Sequence, residues 1–180
     1  MDRRKFLFES TSRGVGLMAL PFGNGPERML TNINIGAHLH QLDFNRHGTG
    51  HLARAAQEGI AFAFRYGLDI MRENGIEPSV IRAGKANMFL SRIFTQSFVN
   101  ATGVPVELYQ SDGSIGAALG AGVGIGYYTD PGSAFAGRKP LQCIVPEQKN
   151  IYERLYENWK QVLDNQIQNM VGAEGMLTHA

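Results

Sequence analysis

Residues 81–106 read Ile-Arg-Ala-Gly-Lys-Ala-Asn-Met-Phe-Leu-Ser-Arg-Ile-Phe-Thr-Gln-Ser-Phe-Val-Asn-Ala-Thr-Gly-Val-Pro-Val, and this stretch decides the fold. A short apolar strand at Val80–Ala83 runs into a turn of small residues, Gly84-Lys85-Ala86-Asn87. A helix over 88–102 follows, stopped by Gly103, and a second strand begins at Pro105, where a missing N–H costs no ladder bond. Strand, turn, helix, strand is the unit of a sheet covered by helices. Ligands of such sheets sit at the carboxyl ends of the strands, where a helix N-terminus offers free N–H groups and the positive end of its dipole. Ala83, Gly84, Lys85, Ala86 and Asn87 are therefore the candidate nucleotide-binding residues: small side chains let the backbone approach a flat ring or a phosphate.

Working outward, the helix signal before this unit is the clearest in the chain. Leu52, Ala56, Ile60, Ala63, Gly67 and Ile70 recur at three- and four-residue steps over 50–74, with Thr49 as N-cap and Asn74-Gly75 as the stop. Upstream, 15–22 reads as a buried strand, 23–34 as a loop and 36–44 as a weakly alternating strand. Downstream, Pro105–Tyr109 is a strand, 115–127 a Gly/Ala-rich helix, 129–145 a loop, and 147–169 an amphipathic helix with Ile151, Leu155, Trp159, Val162, Leu163 and Ile167 on one stripe.

Composition narrows the function classes. The chain of 180 residues is 43% hydrophobic, enough for a core, and carries a net charge of +1, which gives no electrostatic case for nucleic acid or an acidic membrane. Its charged fraction, 18%, falls below the usual quarter, as expected where large surfaces are covered by another body. One cysteine, Cys143, excludes an internal disulfide and a multi-cysteine metal site, and fits a cytoplasmic setting. No run is long enough for a membrane span. Met1-Asp2-Arg3-Arg4-Lys5 resembles the start of a twin-arginine export signal, but Glu9, Thr11, Ser12 and Arg13 interrupt the apolar stretch such a signal needs. Residues 1–13 are expected to form a flexible basic extension, 14–170 the domain, and 171–180 a disordered tail.

Several tempting features have plainer readings. Gly116, Gly120 and Gly124 do not spell a dinucleotide loop and are expected to serve close helix packing. His38, His40, His47 and His51 lack a carboxylate or cysteine at ligand spacing and read as bonded or capping histidines, so no metal site is expected. Glu58 with Arg54 or Arg65 reads as a salt bridge rather than an acid/base pair.

Within 81–106, Ser91, Phe94, Gln96, Gly103, Pro105 and Val106 fall in the register of a known block. It resembles the adenosine-binding block of the FGGY carbohydrate kinases: a Gly-Gly-Gly-Ala turn, a Ser, an aromatic, a Gln, an Ala-Asp pair and Gly-x-Pro-Val. Three further blocks follow the family's order. Leu20-Pro21-Phe22 through Glu27-Arg28 resembles its Leu-Pro-Tyr-x-x-Gly-Glu-Arg loop. His51-Leu52-Ala53-Arg54-Ala55-Ala56-Gln57-Glu58-Gly59-Ile60-Ala61-Phe62 resembles the close of its second signature. Gly116-Ala117-Ala118-Leu119-Gly120-Ala121 resembles its Gly-Ala-Ala-Leu-Gly-Ala helix. The likeness spans roughly 14–170 and is greatest to the xylulose kinase branch. The departures are local: Ala83-Gly84-Lys85 stands for the triple glycine, about three extra residues around Met88–Leu90 precede Ser91, and Val99-Asn100 replaces Ala-Asp. Asn87-Met88-Phe89-Leu90 is similar to the glycerol kinase branch, where an Asn contacts the nucleotide.

The resemblance implies a C-terminal, nucleotide-binding lobe of the actin-like, ribonuclease H-like ATPase fold, a mixed sheet flanked by helices. It implies ATP as its Mg²⁺ complex, a ketopentose such as D-xylulose as acceptor, and an N-terminal lobe that carries the catalytic aspartate, with no catalytic residue in this chain. On that reading the lobe alone is inactive, and the cleft face it leaves uncovered admits self-association into a homo-oligomer. The competing reading is a non-catalytic binding or assembly module that keeps the fold.

Overall fold

The computed structural model describes residues 16–111 and 113–177; the basic stretch 1–13 with its export-signal resemblance, and residues 178–180 of the expected tail, lie outside the described residues. Five strands and five α-helices follow in the order β1 (Met18–Phe22), β2 (Gly36–His40), α1 (Thr49–Glu73), β3 (Ile81–Gly84), α2 (Arg92–Thr102), β4 (Val106–Tyr109), α3 (Gly113–Gly124), α4 (Pro131–Ala134), β5 (Gln142–Ile144) and α5 (Lys149–Leu177). Single 3₁₀ turns lie at Arg28–Leu30 and Asn87–Leu90.

The strands make two sheets among the described residues. β1 and β2 pair antiparallel, from Met18 opposite His40 to Phe22 opposite Gly36. β3 and β4 pair parallel, and β5 adds antiparallel to β4, with Val106 opposite both Ile81 and Ile144. The mixed sheet expected from the sequence is thus β3-β4-β5. The third strand lies inside the stretch expected to be a loop. Gln142–Ile144 is too short and too exposed to carry a periodic signal, and only the open edge of β4 makes it a strand.

α1 begins after Gly48 rather than using Thr49 as its cap; the His51 ring Nδ1 accepts the Gly48 N–H at 3.1 Å. Its end is a Schellman motif, as Asn74-Gly75 predicts: Gly75, at φ 81°, donates to Arg72 O at 2.9 Å and Ile76 donates to Met71 O at 3.0 Å. The buried seam lies beside the expected stripe, one position earlier at Ala55, Gly59 and Phe62 and one later at Ala61 and Leu68. Ala55, Gly59, Ala61, Phe62 and Leu68 are buried, while Phe64 and Met71 are exposed. The Phe62 ring takes the core position expected for Ala63, since the larger side chain removes more apolar area from water. Gly59 belongs to the seam because β1 crosses there: a Cβ at this position would land on the carbonyl oxygen of Ala19.

α2 begins where Ser91 accepts the Phe94 N–H at 3.3 Å, and it ends at Gly103, left-handed at φ 70°. The segment expected as one helix over 88–102 is therefore a 3₁₀ turn, a capping serine and an α-helix. α5 buries Tyr152, Tyr156, Trp159 and Leu163, an i, i+4, i+7, i+11 seam rotated from the expected stripe toward the aromatic residues. It continues through Leu177, well into the stretch expected to be an unstructured tail. One core joins these elements: Leu20 and Phe22 of β1, Phe62 of α1, Phe94, Phe98 and Val99 of α2, Val106 and Leu108 of β4, and the α5 seam.

Polar groups lock the helices in register. Glu58 Oε1 accepts from Arg54 Nε at 2.9 Å and from the Tyr152 hydroxyl at 3.0 Å, and that hydroxyl lies 3.0 Å from Ser97 Oγ. Burial, then the Glu58 carboxylate, push the Tyr152 hydroxyl up to about 12. Arg65 pairs with Asp69 at 2.8 Å and Glu153 at 3.2 Å, not with Glu58. Arg65 and Arg72 also donate to the carbonyls of Ala101 at 2.7 Å and Thr102 at 3.0 Å, so two cations of α1 cap the negative end of α2. Asn100, almost fully buried, accepts from Glu147 N at 2.8 Å and Gln148 N at 3.1 Å and so fixes the entry to α5.

The histidines bond as expected with one exception. His38 Nε2 meets Ile35 O at 2.5 Å, and His47 Nδ1 accepts the Asp43 N–H at 3.0 Å. His40 Nε2 is buried without a hydrogen-bond partner. Gly116, Gly120 and Gly124 do not serve close packing among the described residues: apart from neighbouring backbone of their own helix, no atom lies within 4 Å of where their Cβ atoms would be, and only Leu119 of α3 is buried.

Gly59→Ala is expected to destabilise the domain by roughly 1–3 kcal/mol or more, because the atom it meets is backbone and cannot rotate away. Chemical denaturation measures it, and a midpoint equal to wild type would refute the close approach. Asn100→Ala is expected to cost about 0.5–2 kcal/mol, the range of a lost helix cap, and Asn100→Asp, which keeps the acceptor, less. Burial, then the His38 imidazole, hold His40 below its ordinary value of 6.5. Its unfolded form takes up a proton first, so this contribution is intact above pH 6.5 and is lost as pH falls below it. Thermal midpoints at pH 7.5 and 5.5 should differ less for His40→Asn than for wild type; an identical difference would contradict the assignment.

Candidate functional site

A cavity of about 410 Å³ opens where β3 ends. Its floor comes from the strand terminus and the following turn: Ala83, Gly84, Ala86 and Asn87 all line it. The local geometry follows from the pairing. Gly84 stands opposite Tyr109 in the parallel ladder, and having no side chain it leaves room for the tyrosine ring on that face. Lys85 N–H donates to Tyr109 O at 2.9 Å, which extends the ladder by one residue before Ala86 N–H bonds back to Gly84 O at 2.8 Å. Asn87 then takes a left-handed conformation at φ 51°, tolerable for Asn, and opens the 3₁₀ turn. A single 3₁₀ turn, not an α-helix N-terminus, therefore follows the candidate turn. Two α-helices border the cavity with their first turns, α2 through Phe94 and α3 through Gly113 and Gly116.

The walls are aromatic. Phe64 from the exposed side of α1, Met88 and Phe89 from the 3₁₀ turn, and Phe94 from α2 line the cavity with Tyr109 and Phe135. Phe89 packs edge-on against Phe94 at 5.4 Å, and Phe64 edge-on against Phe98 at 5.4 Å. The volume lies in the range of small-molecule sites, and so does the balance of apolar walls with few polar groups. Among the described residues, Arg82 is the only charged residue lining it, and it is committed: its Nε bonds Glu107 at 3.0 Å, the residue opposite it in the ladder. The Tyr109 hydroxyl donates to the same carboxylate at 2.7 Å. That hydrogen bond first, and Arg82 second, hold the Glu107 carboxyl below its ordinary range, while Glu107 pushes the Tyr109 hydroxyl up.

The structure brings together four of the five candidate residues and separates the fifth. Lys85 lines a different groove, of about 520 Å³, with Arg92, Gln96, Cys143 and Glu147. Lys85 follows the last residue of β3 and faces the groove formed with α2 and β5 instead of the cavity. Sequence reasoning missed Phe64, Tyr109 and Phe135. Phe64 carried a usable signal as a large aromatic residue just off the helix stripe; Phe135, in an aperiodic segment, carried none. Among the described residues no group of three or more His, Cys, Asp or Glu is placed to hold a metal ion, and no helix is long and apolar enough to cross a membrane.

The C-terminal domain of the FGGY family of carbohydrate kinases matches residues 16–125. The chain is similar to the L-xylulose/3-keto-L-gulonate kinase of Escherichia coli, 29% identical over 124 residues, which cover 65% of this chain and 24% of that protein. It is similar to the xylulose kinase of Haemophilus influenzae, 40% identical over 67 residues, 37% of this chain and 13% of that one. The ligand-bound xylulose kinase of Lactobacillus acidophilus superposes with a TM-score of 0.71 at 19% identity, over 94% of this chain and 36% of that structure, and so shares the fold. The chain thus spans a quarter or less of the length of the curated relatives it matches. With the family match running over more than half of its residues and the fold shared throughout, the chain belongs to the FGGY family of carbohydrate kinases, whose C-terminal domain it carries.

Proposed function

We propose that this domain forms the nucleotide side of the cleft of a cytoplasmic sugar kinase resembling xylulose kinase, which transfers the γ-phosphoryl group of ATP to a ketopentose such as D-xylulose. The observation that carries the reading is the cavity at the end of β3, whose floor is the small-residue turn and whose walls are aromatic. A purine ring is flat and apolar on its faces, and stacking between such walls suits it whatever its edge presents. Asn87, in the floor, supplies an amide that can both donate and accept, toward the base edge or the ribose. The α3 N-terminus at the other side favours the anionic end of the ligand.

Phosphoryl transfer is a matter of positioning and of neutralising the transferred group. This chain's residues contribute the first. The Mg²⁺ would arrive on the nucleotide phosphates, and the base that takes the sugar hydroxyl proton would belong to an N-terminal lobe. The domain alone is therefore a binder and not a catalyst.

Calorimetry of the isolated chain with ADP should give measurable heat at millimolar to micromolar affinity, and Gly84→Val should abolish it by filling the floor of the cavity. Incubation of the chain alone with ATP, Mg²⁺ and D-xylulose should give no sugar phosphate. Heat indistinguishable from dilution in the wild type would remove the nucleotide reading in favour of an assembly module.

A further inference from the structure

The family match ends at residue 125, yet one wall of the cavity comes from beyond it. Phe135 follows the short helix α4, whose start is fixed by Asp130: its carboxylate accepts the Ser133 N–H at 2.9 Å, and the Ser133 hydroxyl lies 3.2 Å from Asp130 N. Ala134 is buried, which anchors the turn to the body of the domain. The Phe135 ring packs against the Tyr109 ring at 5.8 Å, and the Arg82 guanidinium lies over it at 5.9 Å. Arg82 is itself held by Glu107. The ring is thus supported from behind by groups that are locked to each other.

Two sets of rings border the same cavity. Phe89 and Phe94 contact each other, and Phe64 and Phe89 both contact Phe98. Phe135 contacts Tyr109. Among the described residues no ring contact joins the two sets, so the space between them is the cavity itself. Apolar walls left apart in this way expose area that a flat aromatic ligand would remove from water.

We propose that Phe135 is a base-stacking residue, a wall of the nucleotide cavity supplied by a segment outside the family match. The proposal rests on the nucleotide reading above. It places the base, not the phosphates, against residues 126–141, and it makes recognition there a matter of ring area rather than of hydrogen-bond pattern, so that adenine and guanine nucleotides bind alike.

Two probes test it in the full chain, ADP and inorganic pyrophosphate, the second lacking a base. Phe135→Ala is expected to weaken ADP roughly tenfold or more, the loss of one base–aromatic stack, and to leave pyrophosphate unchanged. Phe135→Trp is expected to keep ADP affinity, and its new indole to be quenched as ADP saturates; GDP should match ADP within about threefold. If the wild type binds ADP and Phe135→Ala binds it equally, or the indole emission does not respond, the proposal is overturned while the nucleotide reading stands. If the wild type binds no ADP, both fall. If Phe135→Ala does not fold, the Phe135→Trp quenching decides.

Discussion

The carbonyl of Ala19 is where this domain is held together. It accepts the Trp159 indole N–H at 2.8 Å inside the core, and the backbone of α1 passes so close at Gly59 that no side chain fits between them. Three elements far apart in sequence, β1, α1 and α5, meet at one polar atom. A buried acceptor left unpaired would cost more than a hydrogen bond gains, so the indole is required there. The strand can reach the indole only if α1 is glycine at the crossing. From this junction the rest follows: the Phe62 ring packs against Trp159 and Tyr156, and Tyr152 delivers its hydroxyl to Glu58.

The His51–Phe62 block is therefore legible as physics as well as a family signature. Ala55 and Gly59 give β1 its close approach, Glu58 collects Arg54 and Tyr152, and Phe62 fills the core. Reading the sequence found the helix and its stop but not its cap, and placed its seam a residue to the side. The periodicity of a helix cannot distinguish a glycine that is buried because a strand crosses it from one that is merely tolerated. That information lies in β1, some forty residues earlier. Asn100 is similar. In sequence it is a departure from a motif, but in the structure it is the acceptor that holds the start of α5, a contact spanning nearly fifty residues.

The floor of the cavity was visible in the sequence because it is local. A strand, a glycine, small residues and a turn are all encoded within Ile81–Asn87. The walls were not, because they converge from α1, β4 and the segment after α3, and nothing at Phe64, Tyr109 or Phe135 marks a shared destination. Lys85 shows the opposite error. Proximity in sequence suggested one site, and Lys85 lines a different groove. For α3, the sequence pattern of small residues was clear, but close packing is met only at Gly122, against the Tyr128 ring; Gly116, Gly120 and Gly124 face open space.

The disposition of charge limits what this cavity can do by itself. Arg54, Arg65, Arg72 and Arg82 are each engaged by a carboxylate within 3.0 Å. Among the described residues the cavity wall offers no cation beyond Arg82, whose guanidinium is shared with Glu107 and lies over the Phe135 ring. A triphosphate brings several negative charges that must be met by cations or by oriented N–H groups. This surface can supply the latter at α3 but not the former. On the proposed nucleotide reading, such a cavity holds the uncharged end of the ligand and leaves most of its charge to groups outside the cavity.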